Sequence, residues 1–224
     1  MGYCGCFFYQ ALVYEREWIS TGTVVDQQDW DAAAGWTKLA MKFNPFNPNY
    51  PELLGRLHFW QFFIAGQSIS SDEKAQAVAN SGLVHLRHAI EMRPTWPLAW
   101  ASLLKLKSIA GQIDYEFEPV WDKSVELGDW EPGVQTILLE AGLIHWPRFN
   151  DVLRKKTVNI FVAMTSKPFS ERSAIRVVDR LNAWPLVCDV LVDPIVTPYA
   201  MRLACARMLK PRNRSWITKV CTSY

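Results

Sequence analysis

Four histidines and a scatter of carboxylates are the residues in this chain on which chemistry could rest. His85 and His88 stand three apart, a spacing that puts two imidazoles on one helix face and would let them share a metal ion. No third ligand stands nearby in sequence, and solvent-facing histidines beside an apolar stripe explain the pair more simply. His145 falls on an apolar face beside Trp146 and reads as a core histidine. His58 has no carboxylate neighbour. Glu131 and Glu140 share one helical stretch but lie roughly a dozen Å apart along it and on different faces, so they make no acid/base pair. Glu131, at a helix start, is a favourable charge against the helix dipole. The chain has no Gly-x-Gly-x-x-Gly, no phosphate-binding loop and no Gly-x-Ser-x-Gly. No catalytic residue, cofactor or metal ligand is assigned, and the chain is read as a protein that binds rather than one that reacts.

Contact chemistry is better supplied. The sequence holds 11 tryptophans. Trp96 and Trp130 sit in turns just before helices, where a flat ring could meet a partner or stack on a sugar. Arg93 and Gln135 stand close by in sequence and could add polar contacts. Against this, most large aromatics in a helical stack lock helices and turns together, as Trp100 is expected to do. Arg172, Arg176 and Arg180 recur every four residues and form a basic stripe on one helix face. Arg154, Lys155 and Lys156 make a second basic cluster. A solvated face is the plain reading of both, and contact with phosphate or an anionic membrane surface the sharper one. No nucleic-acid-binding motif is present.

The elements that must position these residues are helices, since apolar residues recur at spacings of three and four and strand-like alternation is nearly absent. Asp29 is the expected N-cap of a helix running to about Phe43 and stopped by Pro45. Tyr50 to Ala65 reads as the next. Ser70 and Glu73 offer a capping box for a third, with Ala75, Val78, Ala79, Gly82, Leu86, Ala89 and Ile90 along one face and a stop at Pro94. Further helices are expected from Trp100 to Gly111, from Asp114 to Leu127, from an Asp129 cap to His145, over Val152–Met164 and Ser170–Leu181, and from about Pro198 to Lys210.

Half of the residues are hydrophobic, which excludes a disordered chain. The net charge of +2 hides an asymmetry: residues 1–151 hold 11 Lys and Arg against 18 Asp and Glu, whereas residues 152–224 hold 13 against 4. Five cysteines (Cys4, Cys6, Cys188, Cys205 and Cys221) form no Cys-x-x-Cys pair, and an odd number argues against a disulfide framework or a zinc site. Cys188 and Cys205 are expected to be free thiols in the core, and free thiols point to a reducing compartment. Tyr3 to Tyr14 is apolar but too short to span a bilayer. It reads as the tail of a membrane helix.

The punctuation repeats. Asp29-Trp30-Asp31-Ala32-Ala33-Ala34 leads through Ala40 to Pro45, then Leu54-Gly55; Gly82, Ala89 and Pro94 return in the same order before Trp100; a weaker copy ends at Ser124. Small residues at these points let two helix backbones approach closely. The pattern resembles the tetratricopeptide unit, in degenerate form. The expected fold is therefore all-α, a tetratricopeptide-like α-solenoid of paired antiparallel helices. Residues 1–25 form an N-terminal segment, residues 26–150 the repeats, and residues 151–224 a basic helical part that continues the solenoid.

Three strings carry a closer resemblance: Arg93-Pro94-Thr95-Trp96-Pro97-Leu98-Ala99-Trp100, Glu126-Leu127-Gly128-Asp129-Trp130-Glu131-Pro132-Gly133-Val134-Gln135, and Gly142-Leu143-Ile144-His145-Trp146. Together with Leu186-Val187-Cys188 they resemble the VpsP-type polysaccharide biosynthesis proteins over about residues 29–190. The resemblance implies a non-enzymatic accessory protein of bacterial exopolysaccharide assembly, associated with the inner membrane and tethered there by an N-terminal helix. Its partners would be membrane assembly proteins or the polysaccharide, with the periplasmic face favoured. Two other readings stand beside it, a general protein–protein adaptor and a carbohydrate-binding protein.

Overall fold

The computed structural model describes residues 2–21, 25–64, 72–191 and 205. The fold is all-α, and no strand forms among the described residues. The helices are α1 (Gly2–Thr21), α2 (Gln27–Phe43), α3 (Asn49–Trp60), α4 (Asp72–Met92), α5 (Pro97–Ile109), α6 (Phe117–Gly128), α7 (Pro132–Ile144), α8 (Asp151–Thr165), α9 (Pro168–Arg180) and a short α10 (Trp184–Leu186) that runs into a π turn at Val187–Leu191. The last expected helix, from Pro198 to Lys210, and Ser70 of the capping box lie outside the described residues.

The chain forms two compact units, residues 1–129 and 130–224. In the first unit each helix packs on its predecessor, α1 on α2 through to α5 on α6. In the second, α7, α8 and α9 pack on one another. Such sequential packing is what a helical repeat requires, because an amphipathic pair buries its second face only against a neighbour.

Local chemistry sets the boundaries. Asp26, not Asp29, caps α2, its carboxylate accepting from the Gln28 N–H at 2.7 Å. Asp29 lies one turn further, where a negative charge suits the dipole. Asn150 caps α8 by accepting from the Leu153 N–H at 2.9 Å. Pro97, Pro132 and Pro168 open α5, α7 and α9, where a missing N–H leaves no bond unmade. Asp114 starts no helix; its side chain closes a turn onto the Glu116 N–H at 3.0 Å, and α6 begins at Phe117.

The repeat's small residues sit where helices cross. Ala33, Ala40, Gly82 and Ala89 are buried. Gly55 of α3 and Gly82 of α4 face each other so closely that a Cβ on either would stand 3.1 Å from the other's carbonyl oxygen. Gly142 of α7 meets the Thr157 side chain of α8 in the same way.

The apolar N-terminal segment is the first helix of the first unit and packs within it. Ala11 and Trp18 are buried, Phe8 packs on Tyr50, and Phe7 stacks on Trp36 at 5.5 Å. Glu15 is buried as well and binds Arg56 of α3 at 2.6 Å. Of that apolar run Phe7, Phe8 and Ala11 pack against the fold, whereas Tyr9 and Val13 face outward. Among the described residues, no helix is long and apolar enough to cross a membrane.

Candidate functional site

The turn between α4 and α5 brings Arg93 and Trp96 together. The Trp96 N–H donates to the Arg93 carbonyl at 3.2 Å, and the Arg93 guanidinium lies 4.0 Å above the Trp96 ring. The same guanidinium donates to Asn49 at 3.2 Å and reaches Glu52 at 3.4 Å, both on α3. Glu52 is in turn bound by Arg56 at 3.1 Å, and Arg56 by Glu15. The result is an ionic chain, Glu15–Arg56–Glu52–Arg93, that crosses α1, α3 and the α4–α5 turn. Burial pushes the Glu52 carboxyl up, more strongly than Arg56 and Arg93 pull it down. Burial would lower Arg56, but the Glu15 and Glu52 carboxylates raise it on balance. One face of Trp96 is thus already occupied, and Arg93 is committed to holding helices together.

Trp130 and Gln135 belong to the second unit and part company there. Trp130, just ahead of α7, is 64% exposed and free to meet a partner. Gln135 is only 1% exposed, so the surface contact expected of it is corrected. It lies in the run Val134, Gln135, Leu138, Leu139, Ala141 and Gly142, all buried, because α7 is covered on both sides by its neighbours and has little outer face.

The basic candidates divide too. Arg154 donates to the Trp146 carbonyl at 3.2 Å, and its guanidinium lies 5.7 Å from that ring. Lys155 is exposed and Lys156 half-buried. Arg180 is tied to Glu140 of α7 at 3.0 Å. Arg172 and Arg176 have no acidic partner among the described residues; Arg176 donates to Ser173 at 3.0 Å. With Phe169, 77% exposed, and Ile175 they line an open groove along α9. The stripe read from sequence is therefore a pair of arginines beside an exposed aromatic ring.

Three features escaped the sequence reading. Lys107 of α5 is 1% exposed and binds Asp114 at 2.8 Å and Glu116 at 2.9 Å. Glu116 also binds Arg87 of α4 at 2.7 Å. Its hydrogen bond to Arg87 comes first and Lys107 next in holding that carboxyl at about 2, against the cost of burial. The one legible signal was a lysine on an otherwise apolar face. Second, His85 pairs not with His88 but with His58 of α3, the rings stacked at 5.8 Å. His88 faces Glu91 at 3.6 Å, and no group of metal-ligating residues gathers among the described residues. Third, Cys188 and Cys205 are joined in a buried disulfide, which overturns the expectation of two free thiols. A separation of 17 residues with no motif gave no sequence signal for it.

Fold and surfaces define an all-α protein of helical-repeat character. No known family profile matches the chain, and no curated protein matches it.

Proposed function

We propose that this chain is a non-enzymatic scaffold of bacterial exopolysaccharide assembly that holds a membrane assembly protein or the glycan. The observation that carries the scaffold reading is the division of polar side chains. The buried charged groups Glu15, Glu52 and Lys107 and the half-buried Arg56 are all consumed in ties within the first unit, and the surface offers aromatic and basic contact residues. The pathway rests on the resemblance of the Arg93–Trp100 and Glu126–Gln135 strings. The groove at Phe169, Arg172 and Arg176 supports peripheral contact with an anionic membrane surface, a ring for the interface and two cations for headgroups. The Cys188–Cys205 disulfide favours an oxidising compartment and with it the periplasmic face. The exposed Trp130 favours a second reading, direct glycan contact.

Deleting the gene and measuring the amount and chain length of extracellular polysaccharide tests the pathway. The expected result is loss or shortening, restored by the wild-type gene. A complementing Arg172→Glu/Arg176→Glu variant is expected to leave the membrane fraction. Unchanged polysaccharide, with the other assembly genes active, would remove the pathway and leave a general adaptor.

A further inference from the structure

The outer face of α2 carries a patch of apolar side chains open to solvent. Ala32, Gly35, Trp36 and Leu39 line an open groove there. Leu39 is 38% exposed, and Phe43, one turn on, is 60% exposed. Phe7 of α1 stacks on both Trp36 and Phe43, at 5.5 and 5.7 Å, and extends the patch sideways. Gly35 has nothing within 4 Å of the place its Cβ would occupy. Gly55, Gly82 and Gly142 are each filled by a neighbour inside the fold, but the space at Gly35 is open to solvent.

We propose that a second copy of this chain covers this face, with the two α2 helices antiparallel about a two-fold axis near Gly35 and Trp36. The charges beside the groove select that occupant and that direction. At about 100° per residue, Asp31, Lys38 and Lys42 fall along one edge of the apolar face, and all three are exposed. The acid lies toward the N-terminal end and the two lysines toward the C-terminal end. A parallel copy, turned about an axis along α2, would put the two charged edges on opposite sides of the interface and leave them unpaired. An antiparallel copy turned about Gly35 and Trp36 sets each Asp31 between Lys38 and Lys42 of the other chain, about 3 Å along the axis from either at 1.5 Å per residue. The same turn lays Leu39 over Ala32 and Trp36 over the open space at Gly35. A self-complementary patch of this kind closes as a dimer and does not propagate.

Sedimentation velocity and light scattering on the full chain test the proposal. The wild-type protein is expected to run at twice its 25.7 kDa chain mass. Leu39→Glu, a change at the surface, is expected to run at the chain mass with an unchanged circular dichroism spectrum. Asp31→Lys is expected to weaken the dimer at least tenfold, and the charge swap Asp31→Lys/Lys42→Asp to restore it. A wild-type chain that stays monomeric at the highest concentration it tolerates would overturn the proposal. So would a dimer that Leu39→Glu leaves intact, or one that dissociates with Leu39→Glu but is unaffected by Asp31→Lys.

Discussion

Two cations tie the first unit together, the half-buried Arg56 and the buried Lys107, and they are expected to behave differently. Removing Arg56 strands Glu15, 8% exposed, and leaves Glu52, 6% exposed, with only the longer contact to Arg93 at 3.4 Å. Removing Lys107 strands Asp114 and Glu116, which are 43% and 27% exposed and can turn to water, with Arg87 still beside Glu116. Arg56→Met should therefore cost about 3–5 kcal/mol and Lys107→Met clearly less, about 1–2 kcal/mol, read as the shift in urea unfolding. Equal losses would mean that burial of the stranded carboxylates is not what sets the cost. The histidines supply a pH dependence. Burial lowers His58 and His85 below 6.5; the neighbouring Lys38 lowers both further, and His88 acts on His85. The unfolded chain then takes up protons that the folded chain resists, so stability is full above 6.5 and falls as pH drops. Thermal midpoints should decline between about pH 7 and pH 5, and His58→Phe should flatten that decline. Glu116, held at about 2, adds a second loss in the same direction as pH falls below 4.5.

At the scale of the element, the crossing of α3 and α4 leaves no room for a side chain at Gly55 or Gly82. A Cβ at Gly82 would stand 2.7 Å from the His58 Cβ and 3.1 Å from the Gly55 carbonyl oxygen. Backbone cannot yield as a long side chain can. Gly82→Ala is therefore expected to destabilise by about 1–3 kcal/mol by forcing the helices apart, although alanine is the better helix former by about 1 kcal/mol. The check is chemical denaturation beside Gly5→Ala, which meets nothing and should not destabilise the folded chain. This crossing was legible in the sequence because Gly82 falls in register with Ala89 and Pro94. The partners of Arg93 and Trp96 were not. Asn49 and Glu52 lie more than 40 residues earlier and come within reach only when α3 packs beside the turn.

For the whole molecule, the two compact units also divide the charge. Residues 1–129 hold 10 Lys and Arg against 15 Asp and Glu, and residues 130–224 hold 14 against 7. The disulfide belongs to the basic unit. Alkylation under denaturing, non-reducing conditions should label Cys6 and spare Cys188 and Cys205. Replacing both bridged cysteines by serine should cost about 2–4 kcal/mol, as expected for a bridge closing a short loop. Full labelling of all five cysteines in protein taken directly from cells would contradict the oxidising compartment proposed here.

The sequence by itself determined the class of fold, most helix boundaries and the sites of close helix contact. Those depend on spacing and on local rules: a proline at a helix start, a carboxylate at a cap, a small residue every third or fourth position. Only the tertiary structure decided which polar residues are free. Burial and ion pairing depend on what a distant helix places opposite. Gln135 is hidden because α7 has neighbours on both sides, and Arg180 is spent on Glu140. Phe8 and Trp18 pack against protein because α2 and α3 are there to receive them. The pairing of Cys188 with Cys205 follows from no spacing rule and is fixed by the packed chain. Spacing along one helix is fixed by the backbone, whereas the identity of a partner across helices is fixed only when the whole chain has packed.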